Sequence, residues 1–190
     1  MSITVLKPGL QSTIQDLGRY NYSHFGISAS GAADPLSLQI GNMLIGNKKY
    51  ASAIEMTIIG GEFQFNVECY IAISGSEFDA ALDNNVITNH KAIKVSKGQT
   101  LSVGQTKTGA RVYLCVQGGI NVDSYLSSKS THILSGIGGH FGRPIIKGDV
   151  LTFGKNENSG IPKLINNILD MNTSILHINN GLQSNHFNNN

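Results

Sequence analysis

Residues 53–65 read AIEMTIIGGEFQF and alternate between apolar and polar side chains on both sides of a glycine pair. Apolar residues at every second position line one face of a β-strand, because successive side chains point to opposite faces. Gly60 and Gly61 mark a tight turn between the two runs. The stretch therefore predicts two half-buried strands, at 53–58 and 62–65.

The same period of two recurs on either side of this stretch. Asp83, Asn84 and Asn85 tolerate positive φ and predict a hairpin turn between strands at 78–82 and 86–87. Short strands separated by turn residues are typical of an antiparallel sandwich or barrel, so we expect a mainly β protein. Further strands are predicted at 3–6, 69–73, 92–95, 101–103, 110–116, 150–153 and 175–178.

One segment has helical periodicity instead, and it predicts one short helix near residues 35–45. Asp34 can cap this helix, Pro35 suits its first turn, and Gly46 can end it. The apolar stripe facing the core is predicted to comprise Leu36, Ile40, Met43 and Leu44.

Composition excludes several classes of protein. The chain has 190 residues, a net charge of +2 and only 14% charged residues, with 40% hydrophobic residues. This is too apolar for a disordered chain and too poor in charge for a long coiled coil. Without a basic block or a long apolar run, we expect no nucleic acid and no membrane partner. The first residues lack a signal-peptide pattern, so a cytoplasmic protein is expected.

The motifs for common catalytic and metal sites are missing. Residues 136–143, GIGGHFGR, do not fit a dinucleotide fingerprint or a Walker loop, and they form either a surface loop or a ligand-covering loop. Arg143 in this loop could hold a carboxylate or a phosphate. The six histidines lack metal-ligand spacing, so no metal is expected. Cys69 and Cys115 lie in strand-like runs and are predicted to be buried free thiols.

Two polar segments near the N-terminus are better candidates for a site. Residues 11–19 combine amide, hydroxyl, carboxylate and guanidinium groups, and residues 26–34 are rich in small side chains and lead into the predicted helix. Loops of this kind let the backbone approach a ligand closely. In the alternative interpretation, these polar groups satisfy one another and the helix N-terminus.

These segments also carry a resemblance to a known family. Residues 8–19, PGLQSTIQDLGR, resemble the opening of the allophanate hydrolase subunit 2 family, which includes KipA, a component of 5-oxoprolinase, and the carboxyltransferase part of urea amidolyase. Matching motifs follow in order through about residue 155. They lie at 30–38, 41–47, 53–61, 72–75, 109–120, 128–131 and 142–149.

The resemblance implies a cyclophilin-like antiparallel β-barrel and an ATP-dependent hydrolase of the 5-oxoprolinase type, which opens 5-oxoproline to glutamate. The nucleotide, ATP, would be used by a complex with a sister subunit of similar fold, the KipI-like component of 5-oxoprolinase. Two alternatives stay open: a KipA-like regulatory binding protein, and a component of a biotin-dependent urea or allophanate carboxyltransferase. Since the Met-Lys-Met motif is absent, any biotin would arrive on another protein.

The resemblance also implies a small-molecule site. Asp16, Arg19 and Glu55 are expected to be catalytic, because a buried carboxylate can act as acid or base and an arginine can hold an anionic intermediate. The residues expected to bind substrate are Gln11, Ser12, Gln15, Ser30, Gly31, Arg111 and Arg143. In the alternative interpretation, each makes internal hydrogen bonds or ion pairs that support the loops.

The domain division follows the same resemblance. Residues 1–155 are expected to form the first half of the family's domain, and 156–190 a linker, the start of a missing second half and an Asn-rich tail. Two positions depart from the family pattern: Ala33 stands where methionine is usual, and Glu62 often corresponds to proline. A site built between two halves would be incomplete, so whether this chain is an active enzyme stays open, and we expect it to be inactive alone.

Overall fold

The computed structural model describes residues 1–154, 178–183 and 186. This part of the chain has ten strands and one α-helix, α1 (Pro35–Leu44), with short 3-10 turns at Ser23–Phe25 and Ile133–Ser135. The strands are β1 (Ser2–Lys7), β2 (Gln11–Gln15), β3 (Ala53–Thr57), β4 (Glu62–Phe65), β5 (Cys69–Leu82), β6 (Asn85–Val86), β7 (Ala92–Val95), β8 (Thr100–Val116), β9 (Ile120–Asn121) and β10 (Val150–Phe153). The prediction of a mainly β protein with one short helix near residues 35–45 is confirmed.

All the strands belong to one antiparallel sheet that curls into a nearly closed barrel. The strand order is β2-β3-β8-β4-β1-β10-β9, and β5 pairs with β8, β7 and β6. Loop residues cover the outer edge of β2, since the amides of Thr131 and Ile145 donate to the carbonyls of Ile14 and Ser12 at 2.9 Å each. A covered edge leaves few free backbone groups for unwanted strand pairing. The predicted antiparallel barrel is confirmed.

The interior of the barrel follows the alternation from which the strands were predicted. Ile54, Met56, Phe63 and Phe65 are all fully buried in one apolar cluster, together with residues from β1, β5, β8 and β10. Each such side chain contributes roughly 1.5–3 kcal/mol on burial. The strand at 53–58 ends one residue early, at Thr57, because Ile58 has φ of 58° and leaves the extended conformation.

Two strands are much longer than the alternation predicted. β5 has 14 residues and β8 has 17, where the sequence indicated separate short strands at 69–73, 78–82, 101–103 and 110–116. The two strands stay paired through three register shifts between Gly75 and Ala80. These bulges, with Gly75 at φ of 111°, interrupt the alternation and explain why each strand was predicted in two pieces.

The helix is where it was predicted, but it buries a different face. Asp34 caps α1, accepting from the Ser37 amide at 3.0 Å, as expected. Leu36 and Met43 are exposed, so the predicted apolar stripe is wrong at these two positions, whereas Leu44 is buried and Ile40 packs against the same cluster. The buried residues are Ser37, Leu38, Gly41, Asn42 and Leu44. Gly41 explains the difference, because a Cβ there would lie only 2.7 Å from the sulfur of Cys115, so the helix packs against the sheet through small residues.

The interpretation of residues 11–19 as a loop is also wrong in its first half. Residues 11–15 form β2, which pairs with β3 in register from Gln11 opposite Thr57 to Gln15 opposite Ala53. Its polar side chains obscured the strand pattern, yet four of the five residues are buried.

The remaining structural predictions separate into tested and untested ones. Cys69 and Cys115 are free and buried, as predicted, and burial raises the pKa of each thiol to about 12. The predicted strand at 175–178 and the domain boundary near residue 155 fall largely outside the described residues. No helix in the described part of the chain is long and apolar enough to cross a membrane.

Candidate functional site

Asp16 lies just after β2 and holds two segments of the chain together. Its Oδ1 accepts from the amide of Gly18 at 2.8 Å, from the hydroxyl of Ser128 at 2.7 Å and from that of Ser130 at 2.5 Å. Its Oδ2 accepts from the amide of Lys129 at 2.6 Å. Four donors around a buried carboxylate satisfy its acceptor sites, so this group serves to join the start of the polar segment to loop 128–131.

Arg19 is buried beside this cluster, with only 2% of its surface exposed. Its Nη1 donates to the hydroxyl of Ser30 at 2.8 Å, and its Nη2 donates to the carbonyl of Ser130. The guanidinium also lies over the ring of Tyr125 at 5.9 Å. Burial lowers the pKa of Arg19, while the charge of Asp16 opposes that shift. Asp16, Arg19 and Ser30 are therefore brought together as predicted, in an internal network.

Glu55 occupies a second cluster on the outer face of β3 and β8. Its Oε2 accepts from the amide of Ala33 and from the hydroxyl of Tyr113, both at 2.8 Å. The same hydroxyl accepts from the amide of Asp34 at 2.7 Å. Burial and the neighbouring Glu55 carboxylate raise the pKa of Tyr113, so the phenol stays protonated and acts as a donor. Glu55 therefore holds the segment that leads into α1 through the amide of Ala33, the position where methionine is usual in the family.

Arg111 completes this second cluster, and it keeps unused hydrogen-bonding capacity. Its Nε lies 3.5 Å from Oε1 of Glu55, and the side chain is 34% exposed. That buried Nε makes no hydrogen bond, and Nη1 makes only a long one to the carbonyl of Ala110, at 3.4 Å. A guanidinium presents five N–H donors in a fork that suits a carboxylate or another planar anion. Arg111 is thus able to bind an anionic group at the surface.

The other predicted residues of β2 and the adjoining loop have different surroundings. Gln11 is exposed, and Ser12 donates to the carbonyl of Pro8 at 2.5 Å. Gln15 donates to the carbonyl of Thr131 at 3.1 Å, while its Oε1 is buried without a partner. Gly31, at φ of 97°, packs so closely on Leu17 that a Cβ would lie 2.9 Å from that residue's carbonyl. Of these four residues, Gln15 and Gly31 support the loops around the Asp16 cluster, whereas Gln11 and Ser12 lie at the opposite end of β2.

The side chain of Arg143 makes no hydrogen bond to the Asp16 cluster or to the Glu55 cluster. It forms a two-pronged ion pair with Asp149, with both N–O distances 2.8 Å. This pairing raises the pKa of Arg143 and lowers that of Asp149. The loop 136–143 is further held by Gly138, where a Cβ would lie 2.6 Å from Nη2 of Arg19. In this structure Arg143 stabilises the loop instead of extending toward a ligand.

Three residues whose hydroxyl groups donate to Asp16 or Glu55 were not predicted as site residues: Tyr113, Ser128 and Ser130. Each belonged to a matched family motif, at 109–120 or 128–131, but alternating hydroxyl groups in a strand or loop do not show what they bind. Among the described residues, no group of three or more His, Cys, Asp or Glu side chains is placed to hold a metal ion.

A family model described as "Carboxyltransferase domain, subdomain A and B" matches residues 25–190. The chain belongs to this family. The chain is 40% identical to urea amidolyase of Saccharomyces cerevisiae over 169 residues, which is 88% of this chain and 9% of that protein. It is 35% identical to a 5-oxoprolinase subunit of Escherichia coli over 159 residues, 84% of this chain and 51% of that one.

Solved structures agree with this membership. The urea amidolyase of K. lactis has a TM-score of 0.79 and 37% identity to this carboxyltransferase domain, over 80% of this chain and 9% of that chain. The resemblance inferred from the motifs is therefore confirmed. The chain spans about half the length of the 5-oxoprolinase relatives that it matches, and about a tenth of the urea amidolyases.

Proposed function

We propose that this chain is part of an ATP-dependent amidohydrolase of the 5-oxoprolinase type, which converts 5-oxoproline to glutamate together with a sister subunit. Similarity to 5-oxoprolinase subunits of Escherichia coli and of Haemophilus influenzae supports the proposal. The name of these relatives describes one subunit of an enzyme, which favours a partner subunit, and the family resemblance implies that this partner has a similar fold. We place the enzyme in the cytoplasm, where ATP is available, and expect this chain to be inactive alone.

The observation that carries the proposal is the Glu55–Arg111 pair. The substrate and the product both carry a carboxylate, and Arg111 offers a partly exposed guanidinium with unused donors. Glu55 positions that guanidinium through Nε and is itself held by Tyr113 and by the backbone of Ala33. In this proposal Arg111 binds the substrate carboxylate, while Glu55 and Tyr113 position it.

ATP does not fit the glycine-rich loop at residues 136–143. In this loop, the guanidinium of Arg143 is paired with Asp149, and the backbone packs on Ser130 and Arg19. These contacts leave no free binding site for phosphate groups. We therefore propose that ATP binds the sister subunit and not this loop.

A second candidate is a component of a biotin-dependent urea carboxyltransferase. The 40% identity to the urea amidolyase of Saccharomyces cerevisiae favours it. Urea has no carboxylate, so under this function Arg111 would instead face the carboxyl group being transferred. Biotin would arrive on another protein.

The experiment combines the purified chain with its sister subunit and measures ATP-dependent release of glutamate from 5-oxoproline. A parallel assay supplies urea, bicarbonate, ATP and a biotin-carrying carboxylase. We expect glutamate release only in the presence of the partner. Turnover of urea but not of 5-oxoproline favours the second candidate, and the absence of both activities would favour a KipA-like regulatory protein or an inactive remnant.

Variants connect the activity to the site. Arg111→Gln should lower kcat/KM for 5-oxoproline by about tenfold or more, because it removes a charged hydrogen-bond donor from the substrate. Lys94→Gln removes one cation from an exposed ion pair with Glu68 and is the matched control, with unchanged activity expected. Equal activity of the two variants would contradict the assignment of Arg111.

A further inference from the structure

Three polar side chains lie side by side on the outer face of the sheet, on the neighbouring strands β2, β3 and β8. Gln11 is paired with Thr57, and Thr57 is paired with Arg111 on its other side. Residues opposite each other in an antiparallel pair have their side chains on the same face, with Cβ atoms about 4.5–5.5 Å apart. Gln11, Thr57 and Arg111 therefore form one row across three strands, which we call the Thr57 row.

The Thr57 row is the first row on this face that is open to solvent. Glu55 and Tyr113 form the preceding row, and both are buried beneath the segment that enters α1. In the Thr57 row, by contrast, Gln11 is exposed, and Thr57 and Arg111 are partly exposed. β3 ends at Thr57, so no further residue of that strand lies beyond this row. A small molecule can therefore reach all three side chains.

The guanidinium of Arg111 lies beside β3, the strand that carries Thr57. Its Nε is 3.5 Å from Oε1 of Glu55, which precedes Thr57 by two residues on the same face. This contact fixes the inner end of the guanidinium. Toward the outer end, Nη1 makes only a long hydrogen bond, at 3.4 Å, to the carbonyl of Ala110. Cationic donors with spare capacity are thus held next to the Thr57 hydroxyl.

The order of the three groups indicates the chemistry of a ligand. Arg111 supplies cationic donors that suit a carboxylate, and the neighbouring hydroxyl of Thr57 can donate to the same group. The amide of Gln11 has both donors and an acceptor, which match the C=O and N–H of another amide. Adjacent strands lie about 4.8 Å apart, so the row spans about 10 Å between its outer strands. The row therefore fits a small molecule with a carboxylate at one end and an amide at the other.

We propose that the Thr57 row binds a small molecule of this class, and that Thr57 is a further substrate-binding residue. The hydroxyl of Thr57 donates to the carboxylate that Arg111 holds, and the side chain of Gln11 pairs with the amide. The inference rests on the proposed function, in which Arg111 binds the carboxylate of 5-oxoproline. It adds how the lactam would be recognised, because 5-oxoproline carries a carboxylate and a cyclic amide on one ring.

The test uses three probes that share the same ring size. L-5-Oxoproline has both groups, cyclopentanecarboxylate has only the carboxylate, and 2-pyrrolidinone has only the lactam. Each is titrated into the full chain at constant ionic strength, and the amide chemical shifts of Gln11, Thr57 and Arg111 are recorded by NMR. We expect 5-oxoproline to bind about tenfold more tightly than cyclopentanecarboxylate, and 2-pyrrolidinone to bind most weakly. Equal affinities for the first two probes, or no saturable shift with any probe, would overturn the proposal.

Variants separate the contributions of the hydroxyl and the amide. Thr57→Val keeps the branched shape but removes the hydroxyl, so it should weaken the binding of both carboxylate probes about fivefold to tenfold, and Thr57→Ser should restore most of it. Gln11→Leu should weaken the binding of 5-oxoproline alone. Thr152→Val, at an exposed threonine of β10, is the control and should change nothing. If Thr57→Val binds the probes like this control, Thr57 is not a binding residue.

Glutamate release in the presence of the sister subunit distinguishes this inference from the proposed function. Glutamate release that Thr57→Val and Gln11→Leu both leave unchanged would overturn the inference while the proposed function stands. Selective binding of 5-oxoproline at the Thr57 row without any glutamate release would contradict the proposed function and support the inference.

Discussion

The most informative perturbation is Asp16→Asn, because it changes only one of the two carboxylate oxygens. Oδ1 accepts three of the four hydrogen bonds, from Gly18, Ser128 and Ser130, and an asparagine can keep its oxygen there. The amide nitrogen then replaces Oδ2 and meets the amide of Lys129, which now donates to Oδ2 at 2.6 Å. One hydrogen bond becomes a contact between two donors.

The magnitude follows from this count. A hydrogen bond to a charged group contributes about 1.5–3 kcal/mol, so Asp16→Asn should lower the free energy of unfolding by about 2 kcal/mol. Asp16→Ala removes all four acceptor contacts and should lower it by about 4 kcal/mol, since such losses add incompletely. Arg19 adds to both effects, because it stays buried without the charge that opposed its desolvation. These are large fractions of a total stability of about 5–15 kcal/mol.

The assay is equilibrium unfolding in urea. With a slope of about 2 kcal/mol per molar, the midpoint should fall by about 1 M for Asp16→Asn and about 2 M for Asp16→Ala. Asp79→Asn is the control, because that carboxylate is exposed and makes one surface ion pair, so its effect should stay below about 0.5 kcal/mol. Equal midpoints for Asp16→Asn and Asp79→Asn would refute the reasoning. A stable but inactive Asp16→Asn protein would assign the carboxylate a chemical role instead.

Three further predictions concern other parts of the structure. Gly138→Ala should lower the free energy of unfolding by about 1–3 kcal/mol in thermal melts, because φ is 67° and the new methyl group would contact Arg19. Gly98→Ala, at φ of 88° with open space around it, should have a smaller effect, and equal effects would contradict the packing argument. The thiols of Cys69 and Cys115 should resist iodoacetamide at pH 8 until urea is added, because a pKa raised from 9.0 to about 12 lowers the thiolate fraction about a thousandfold. Rapid labelling of the folded chain would contradict this prediction. The pKa of Asp149 is lowered in the folded state, so its stabilising effect should be complete above the ordinary value of 3.8 and be lost as the pH falls below it. The stability difference between the wild-type chain and Asp149→Asn, about 1 kcal/mol at pH 7, should therefore shrink below that pH, and a constant difference would contradict the ion-pair interpretation.

The fold was predictable where burial alone decides the pattern. The run at 53–65 has one face inside the barrel, so its alternation is visible, and the helix cap at Asp34 is a local signal. β2 was missed because three of its four buried residues, Ser12, Thr13 and Gln15, are polar. The side chain of Gln15 donates to the carbonyl of Thr131, more than 100 residues away in sequence. The buried face of α1 was missed because the helix packs on the sheet at Gly41, where close approach and not a large apolar side chain determines which face is buried.

The candidate site was predictable as a set of residues but not as a set of contacts. The sequence predicted one site that includes Asp16, Arg19, Ser30, Glu55 and Arg111. The structure brings the first three together and places Glu55 with Arg111 in a second pair. What each side chain contacts depends on loop 128–131 and on the register of β8 against β3, and neither is encoded by local spacing. Their roles in catalysis or substrate binding stay predictions.

The predicted site residues differ in how many of their hydrogen-bonding groups are free to bind a ligand. The carboxylate of Asp16 accepts four hydrogen bonds, so a ligand could reach it only by displacing an internal partner. Both terminal nitrogens of Arg143 are already paired with Asp149, so a ligand that used them would have to replace that carboxylate. Displacing such a partner leaves a buried group unsatisfied, which opposes binding. Arg111 and Arg143 have the same exposed fraction, 34% of the side chain, but Nε of Arg111 makes no hydrogen bond and its Nη1 makes only a long one. A charged ligand would therefore gain most at Arg111, and this position has the strongest physical reason to be mutated first.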